Sequence, residues 1–227
     1  MRTAGSKGVL TSKAVREAGI QLLARHGYDA MNLRMLARSV GIQAGSLYNH
    51  IRSKQDFLFD LLRSIMVEVL ATLDERLDKA DGPIEQLYAL TAFHIEMHCA
   101  RRDEVFIGNM ELRSLTPEHR AIVVDLRSQY EKRIVQILRR GKQEGLFNVE
   151  DERIAAFSLI SMLTGVSNWY RPDGRRTIQQ LIDIHFAMAH KMFGVSAPVE
   201  RKSTAPRPAR GPAARPPAST RKARAAK

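Results

Sequence analysis

The sequence holds one cysteine, Cys99, which excludes an internal disulfide and any multi-cysteine metal site. Aromatic residues make up only 6% of the chain, and no apolar run reaches the ~20 residues of a membrane-spanning helix. The opening MRTAGSKG lacks the hydrophobic segment of a secretory signal. A cytoplasmic protein without membrane contact is expected. Alternating β-branched runs bounded by turns are scarce, which argues against sheets. Also missing are a Gly-x-Ser-x-Gly elbow, a Gly-rich phosphate loop and a His-Glu-x-x-His pair, the sets that hydrolases, nucleotide-binding enzymes and zinc proteases need. Neither catalytic residues nor a cofactor is therefore expected.

What is present is a chain of 227 residues, 44% hydrophobic, enough for a packed core. Its net charge of +12 is unevenly placed: nine cations and one acid give residues 196–227 a net +8. That stretch is Pro, Ala, Arg and Lys with almost no large apolar residue, and no core can be built from it. It reads as a disordered basic tail. A solvated extension and a tail that touches DNA phosphates are both open readings.

The most informative stretch is Asn32 to Ile51, NLRMLARSVGIQAGSLYNHI. Leu33, Leu36 and Ala37 mark one short amphipathic helix that stops at Gly41, and another begins after Gln43 and runs to His50 or Ile51. A short turn with a glycine between two such segments is the spacing of a helix-turn-helix. Small residues at the head of the second segment, Ala44, Gly45 and Ser46, permit close approach to base edges in a major groove. Tyr48, Asn49 and His50 supply hydrogen-bonding groups, while Leu47 and Ile51 anchor the helix on its own domain. An ordinary αα-hairpin with its polar residues facing water is the alternative.

Around this stretch the pattern is helical throughout. Residues 1–8 read as a loose arm, and Leu10 to His26 as a helix ended by Gly27. Asn32 caps the next helix, and Ser53 with Asp56 starts a long one that runs to about Lys79. Pro83 opens a helix that reaches about Cys99. A shorter one spans Val105 to Leu115, and Thr116-Pro117-Glu118 begins another that Gly145 ends. Two apolar helices close the chain, Asp151 to Trp169 and Thr177 to Phe193. They are apolar over more surface than one monomer's core should use, and a homodimer through residues 151–171 and 177–193 is expected.

Thr11 to Leu62 resembles the DNA-binding signature of the TetR family of one-component regulators. The glycine after the first helix, the Leu-Tyr-x-His core of Leu47 to His50 and the Ser53-Lys54 start of the long helix carry the likeness. The resemblance implies an all-α fold: a three-helix helix-turn-helix DNA-binding domain (9–53) and a helical ligand-binding and dimerisation domain (54–195). About nine helices are expected in all. By position it implies that Gln43, Ala44, Gly45 and Ser46 meet bases or adjacent phosphates, and that Tyr48, Asn49, His50 and Lys54 reach the backbone. Thr11 and Arg34 are further phosphate candidates.

The strings Glu111 to Leu115, Tyr130-Glu131, Gly141 to Phe147 and Trp169 to Gly174 are similar to family members that control fatty-acid and sterol breakdown and respond to acyl-CoA thioesters. This implies a repressor that binds a palindromic operator and is released by an acyl-CoA. Candidate pocket walls are Met66, Phe93, Met97, Phe106, Met110, Leu126, Tyr130, Leu163 and Trp169, with Arg113, Arg171 and Arg175 as cations for a CoA phosphate. A repressor responding to a drug or aromatic compound, and a non-specific nucleic-acid binder driven by the tail, are the alternative readings. His94, His98 and Cys99 lack a carboxylate pattern, so no metal site is expected.

Overall fold

The computed structural model describes residues 4–194, with side chains from residue 11 onward. The expectations for residues 1–3 and for the basic tail 196–227 lie outside the described residues. Within them α1 spans Ala4–Ala30, α2 Leu33–Val40, α3 Ala44–Leu47, α4 Lys54–Leu77 and α5 Gly82–Ala100. There follow α6 Arg102–Met110, a 3₁₀ turn at Glu111–Ser114, α7 Pro117–Gln143, α8 Glu152–Thr164, α9 Val166–Trp169 and α10 Ile178–Met192. No strand occurs among the described residues, so the fold is all-α as expected.

Local chemistry sets most of the boundaries. Asn32, Ser53, Thr116 and Asp151 each accept hydrogen bonds from backbone N–H groups of the following helix, and Thr177 with Gln180 forms a reciprocal capping box. Pro83 and Pro117 stand in first turns, where a missing N–H costs nothing. Gly41 (φ 74°) closes α2, and the Ile42 N–H reaches back to the Ala37 carbonyl in a left-handed cap that only glycine adopts freely.

The structure departs from the sequence expectation in four places. Helix α1 begins at Ala4, so residues 4–8, expected as an arm, are helical, and its stop at Gly27 is a kink (φ 75°) inside the run. Once a helix is nucleated, each further residue adds a hydrogen bond, which carries it back beyond the expected start at Leu10. The recognition segment is one turn of α-helix, Ala44–Leu47, not a helix to His50 or Ile51. Beyond it the Asn49 and His50 N–H groups bond three residues back, and this tighter winding brings Ile51 into the core beside Leu47. The segment 105–115 divides into α6, which starts earlier, and the 3₁₀ turn. There the buried Glu111 carboxylate takes the Tyr28 N–H at 3.0 Å and the Ser114 hydroxyl at 2.8 Å. The helix expected from Asp151 to Trp169 breaks at Gly165 into α8 and α9, with the Asn168 N–H turning back to the Gly165 carbonyl.

Helix α4 buries residues along its whole length, from Phe57 to Leu77, and packs on α5 and α7. α6 lies against α1, α7 against α8, and α10 against α5. One buried apolar set runs from Val15 and Leu23 through α4 to Phe193, so the core is continuous across the boundary expected at residue 53. At the crossing of α1 and α4 the ring of Phe57 occupies the space where a side chain at Gly19 would stand.

The buried polar residues Thr91, His94, His98, Glu111 and His185 are each hydrogen-bonded, as burial favours. Thr91 donates to the Leu87 carbonyl and His185 to the Leu181 carbonyl, both at 2.7 Å. His94 lies between the Tyr130 hydroxyl (2.8 Å) and the Thr164 hydroxyl (3.1 Å). His98 stacks on it with ring centres 3.8 Å apart and donates Nδ1–H to the His94 carbonyl. Burial holds His94 well below its ordinary value and His98 down at about 4. Both rings are therefore neutral at physiological pH.

Two outcomes follow for stability. Gly19→Ala places a Cβ 2.0 Å from the Phe57 ring; overpacking of about 1–3 kcal/mol exceeds the ~1 kcal/mol that alanine gains in a helix, so urea unfolding should show a net loss. Gly45→Ala, where a Cβ meets nothing within 4 Å, should not lose stability. For pH, the unfolded chain takes a proton on His98 near the ordinary 6.5, while the folded protein resists it down to about 4. Stability should thus fall as pH drops from 6.5 through 4, by about 3 kcal/mol from this residue, with no slope from it above 6.5. Urea midpoints across that window should show a shallower pH slope in His98→Leu than in the parent.

Candidate functional site

Two regions carry function-bearing chemistry, one on α2 and α3 and one between α4 and α8. In the first, Leu47 is fully buried and Ile51 nearly so, which fixes the short α3 on its domain. The residues between and before them then point outward: Gln43, Ala44, Gly45, Ser46, Tyr48, Asn49 and His50 are all exposed. Tyr48 is 59% exposed, high for a large aromatic side chain. The Gln43 side chain makes no cap hydrogen bond and stays available. Arg34, in the first turn of α2, is exposed as well.

Three expected contacts stand differently. His50 Nδ1 lies 3.2 Å from the Ser12 hydroxyl of α1, which orients the ring. Thr11 is half-buried. Lys54 is half-buried too: its Nζ donates to the Asp29 carbonyl at 3.2 Å and sits 4.1 Å from the Tyr28 ring centre. These contacts tie α4 to the end of α1. Ser12 was not among the residues expected near the recognition segment, because its proximity to His50 comes from packing across 38 residues.

The second region is a cavity of about 280 Å³ lined by α4, α5, α6, α7 and α8. Ile65, Met66, Val69, Met97, Val105, Phe157 and Ile160 give it an apolar wall. His94, His98, Tyr130 and Thr164 form a neutral hydrogen-bonded edge, and Glu104, Arg127 and Glu131 bring charge. Glu104 accepts from Arg16 of α1 at 3.2 Å and from Arg101 at 2.5 Å, and Arg101 pairs with Glu68 of α4. Glu131 pairs with Arg153 at 3.1 Å.

Of the expected pocket residues, Met66, Met97 and Tyr130 line this cavity. Phe93 does not: it is buried beside the Arg76 guanidinium. Phe106 and Met110 lie on the opposite side of α6, each 47% exposed, because helical spacing turns Val105, Gly108 and Asn109 inward instead. Leu163 is fully buried and Leu126 partly buried, neither on the wall. Trp169 is 55% exposed and stacks near His185. Arg113, Arg171 and Arg175 are exposed away from the cavity. The sequence pattern passed over Arg127, Phe157 and Thr164. Arg127 precedes Tyr130 by one helical turn, the spacing that puts both on one face. Among the described residues no group of three or more His, Cys, Asp or Glu could hold a metal ion, and Cys99 does not join the two histidines at the cavity.

A third surface is apolar and uncovered. On α10, Ile184, Met188 and Met192 recur every four residues, 41–48% exposed, and Ile154 and Phe157 of α8 are 64% and 45% exposed.

Comparison with known proteins agrees with this geometry. Residues 15–61 match the family of bacterial regulatory proteins, tetR family, and residues 80–193 match the tetracyclin repressor-like C-terminal domain. The transcriptional repressor KstR2 of Mycobacterium tuberculosis is 30% identical over 167 residues, 73% of this chain and 84% of its own. A tetR-family regulatory protein from Rhodococcus RHA1 superposes with a TM-score of 0.77 at 26% identity, over 82% of this chain and 98% of its own. AibR, solved with isovaleryl coenzyme A and operator DNA, superposes with a TM-score of 0.73 at 26% identity, over 82% and 99%. An exposed helix-turn-helix in front of an all-helical body, together with two family matches that span both, shows that the chain belongs to the TetR family of DNA-binding transcriptional regulators and is not an enzyme.

Proposed function

We propose that the chain is a homodimeric repressor of a palindromic operator, and that an apolar effector in the α4–α8 cavity, an acyl-CoA thioester by class, releases it from DNA. Residues 9–53 would read DNA, and 54–195 would hold effector and partner. The observation that carries the reading is the position of α6. Its inner face lines the cavity through Glu104, Val105, Gly108 and Asn109, and the same Glu104 holds Arg16 of α1. The turn after α6 holds the end of α1 by the Tyr28 N–H and the start of α4 by the Gln55 amide. A ligand that displaces α6 therefore moves the supports of the helix-turn-helix.

The uncovered stripe on α10 with its neighbours on α8 suits a four-helix interface between two copies. Two-fold symmetry would then set two recognition segments about 34–36 Å apart, or a multiple, on successive major grooves. An effector that favours another separation lowers operator affinity by shifting populations. The acyl-CoA class is supported by the adaptable methionines of the wall and by the likeness to AibR, whose solved complex contains isovaleryl coenzyme A. A drug or aromatic effector is the second reading, favoured by the same apolar wall.

Selection of bound DNA from a random pool should recover a palindrome. On the preformed complex with that site, acyl-CoAs of graded chain length should release DNA within one range of lengths; no release at any length would overturn the effector class. Glu104→Gln should still bind effector, seen by calorimetry, yet release DNA at higher effector concentration, since the Arg16 link is weakened. For the DNA face, Arg34→Ala should weaken binding about equally across operator variants and lower the salt slope by about one per protomer, whereas Gln43→Ala should change base preference. Salt-titrated binding curves with mutated operators separate the two.

A further inference from the structure

The charges on the cavity wall do not balance. Glu104 is held by Arg16 and Arg101, and Glu131 by Arg153, so both carboxylates are neutralised. Arg127 lines the same cavity, and among the described residues no carboxylate lies within ion-pair distance of it. Its one hydrogen-bond partner there is the Gly108 carbonyl of α6, at 2.5 Å from Nη2. Burial lowers the Arg127 pKa, whereas carboxylate partners raise those of Arg101 and Arg133. A guanidinium stays protonated at any physiological pH, so this cation cannot relieve its loss of water by giving up a proton. It has five N–H donors in a planar fork, and the Gly108 carbonyl occupies one direction only. Its remaining donors have no acceptor among the described residues.

We propose that Arg127 is the anchor for an oxyanion, a carboxylate or a phosphate, carried by an otherwise apolar effector. The apolar part lies against Met66, Met97 and Ile160, and the oxyanion pairs with the Arg127 fork beside Gly108. This rests on the reading of the cavity as the effector site. Pairing there also gives the ligand a hold on α6, because Arg127 already grips the α6 backbone at Gly108. The cavity of about 280 Å³ lies at the small end of ligand pockets, about 300–1,000 Å³, so the probes carry a short chain of eight carbons. The oxyanion could be the acid's own carboxylate or a phosphate of coenzyme A, and matched probes tell them apart.

The test uses the full chain with octanoate, octanol, octanoyl-CoA and coenzyme A, titrated by calorimetry. Octanoate, octanoyl-CoA or both should bind roughly tenfold or more tightly than octanol, the size of a charge-assisted hydrogen bond. Octanoate above octanol assigns the carboxylate; octanoyl-CoA above an equally weak octanoate and octanol assigns the phosphate. In Arg127→Met the favoured anionic probe should weaken by at least tenfold while octanol is unchanged, and Arg127→Lys should recover only part of the loss. The wild-type comparison needs no variant: octanol binding as tightly as both anionic probes overturns the proposal, as does equal anion affinity in wild type and a folded Arg127→Met. In either case the effector cavity stands. No binding of any probe to the wild type overturns the cavity reading and this proposal together.

Discussion

The Glu104 carboxylate is the joint on which this structure turns. It is 15% exposed and lies between two guanidinium groups, Arg16 of α1 and Arg101 at the start of α6, while Arg101 reaches on to Glu68 of α4. Removing one member of such a cluster leaves a partly buried charge without its counter-ion, which costs more than the intact cluster contributes. The joint is therefore stiff against loss of a partner. It remains adjustable in geometry, because ion pairs tolerate sliding that interlocked apolar side chains do not. The DNA-reading end is coupled to the body by this polar cluster and, beside it, by the apolar contact of Phe57 on Gly19.

The cavity follows the same logic with the opposite solution. His94, His98 and Tyr130 could each carry charge, yet burial and mutual hydrogen bonding keep all three neutral. His98 donates Nδ1–H to the His94 carbonyl, which fixes its tautomer and leaves Nε2 as an acceptor. The polar edge of the cavity thus offers neutral hydrogen-bonding groups and no charge. Arg127 is the exception on that wall, a cation among neutral and compensated groups.

The helix ends were legible because their causes are local. Asn32, Ser53, Thr116, Asp151 and Thr177 cap the helices that follow them, and the stops at Gly41, Gly145 and Gly194 all have positive φ. A cap needs only neighbours within four residues. The exposure of Gln43 to Ser46 and of Tyr48 to His50 was legible for a related reason: the buried pair Leu47 and Ile51 fixes which way the rest must face. The length of α3 was not, since its last residues are wound by the docking of Ile51 and by Ser12, which approaches from α1.

The cavity shows the limit of that reading. Met66, Met97 and Tyr130 face it, but Phe106, Met110 and Trp169, equally apolar in the sequence, face outward. Residue type cannot tell a wall from a surface; the rotation of α6 about its axis decides, and its packing against α1 sets that rotation. The sequence by itself determined the helical elements, their caps and the helix-turn-helix, because those depend on residues a few positions apart. Only the tertiary structure decided that Arg127 lines the cavity without a carboxylate partner while Glu104 has two cations, because charge balance depends on which helices pack together.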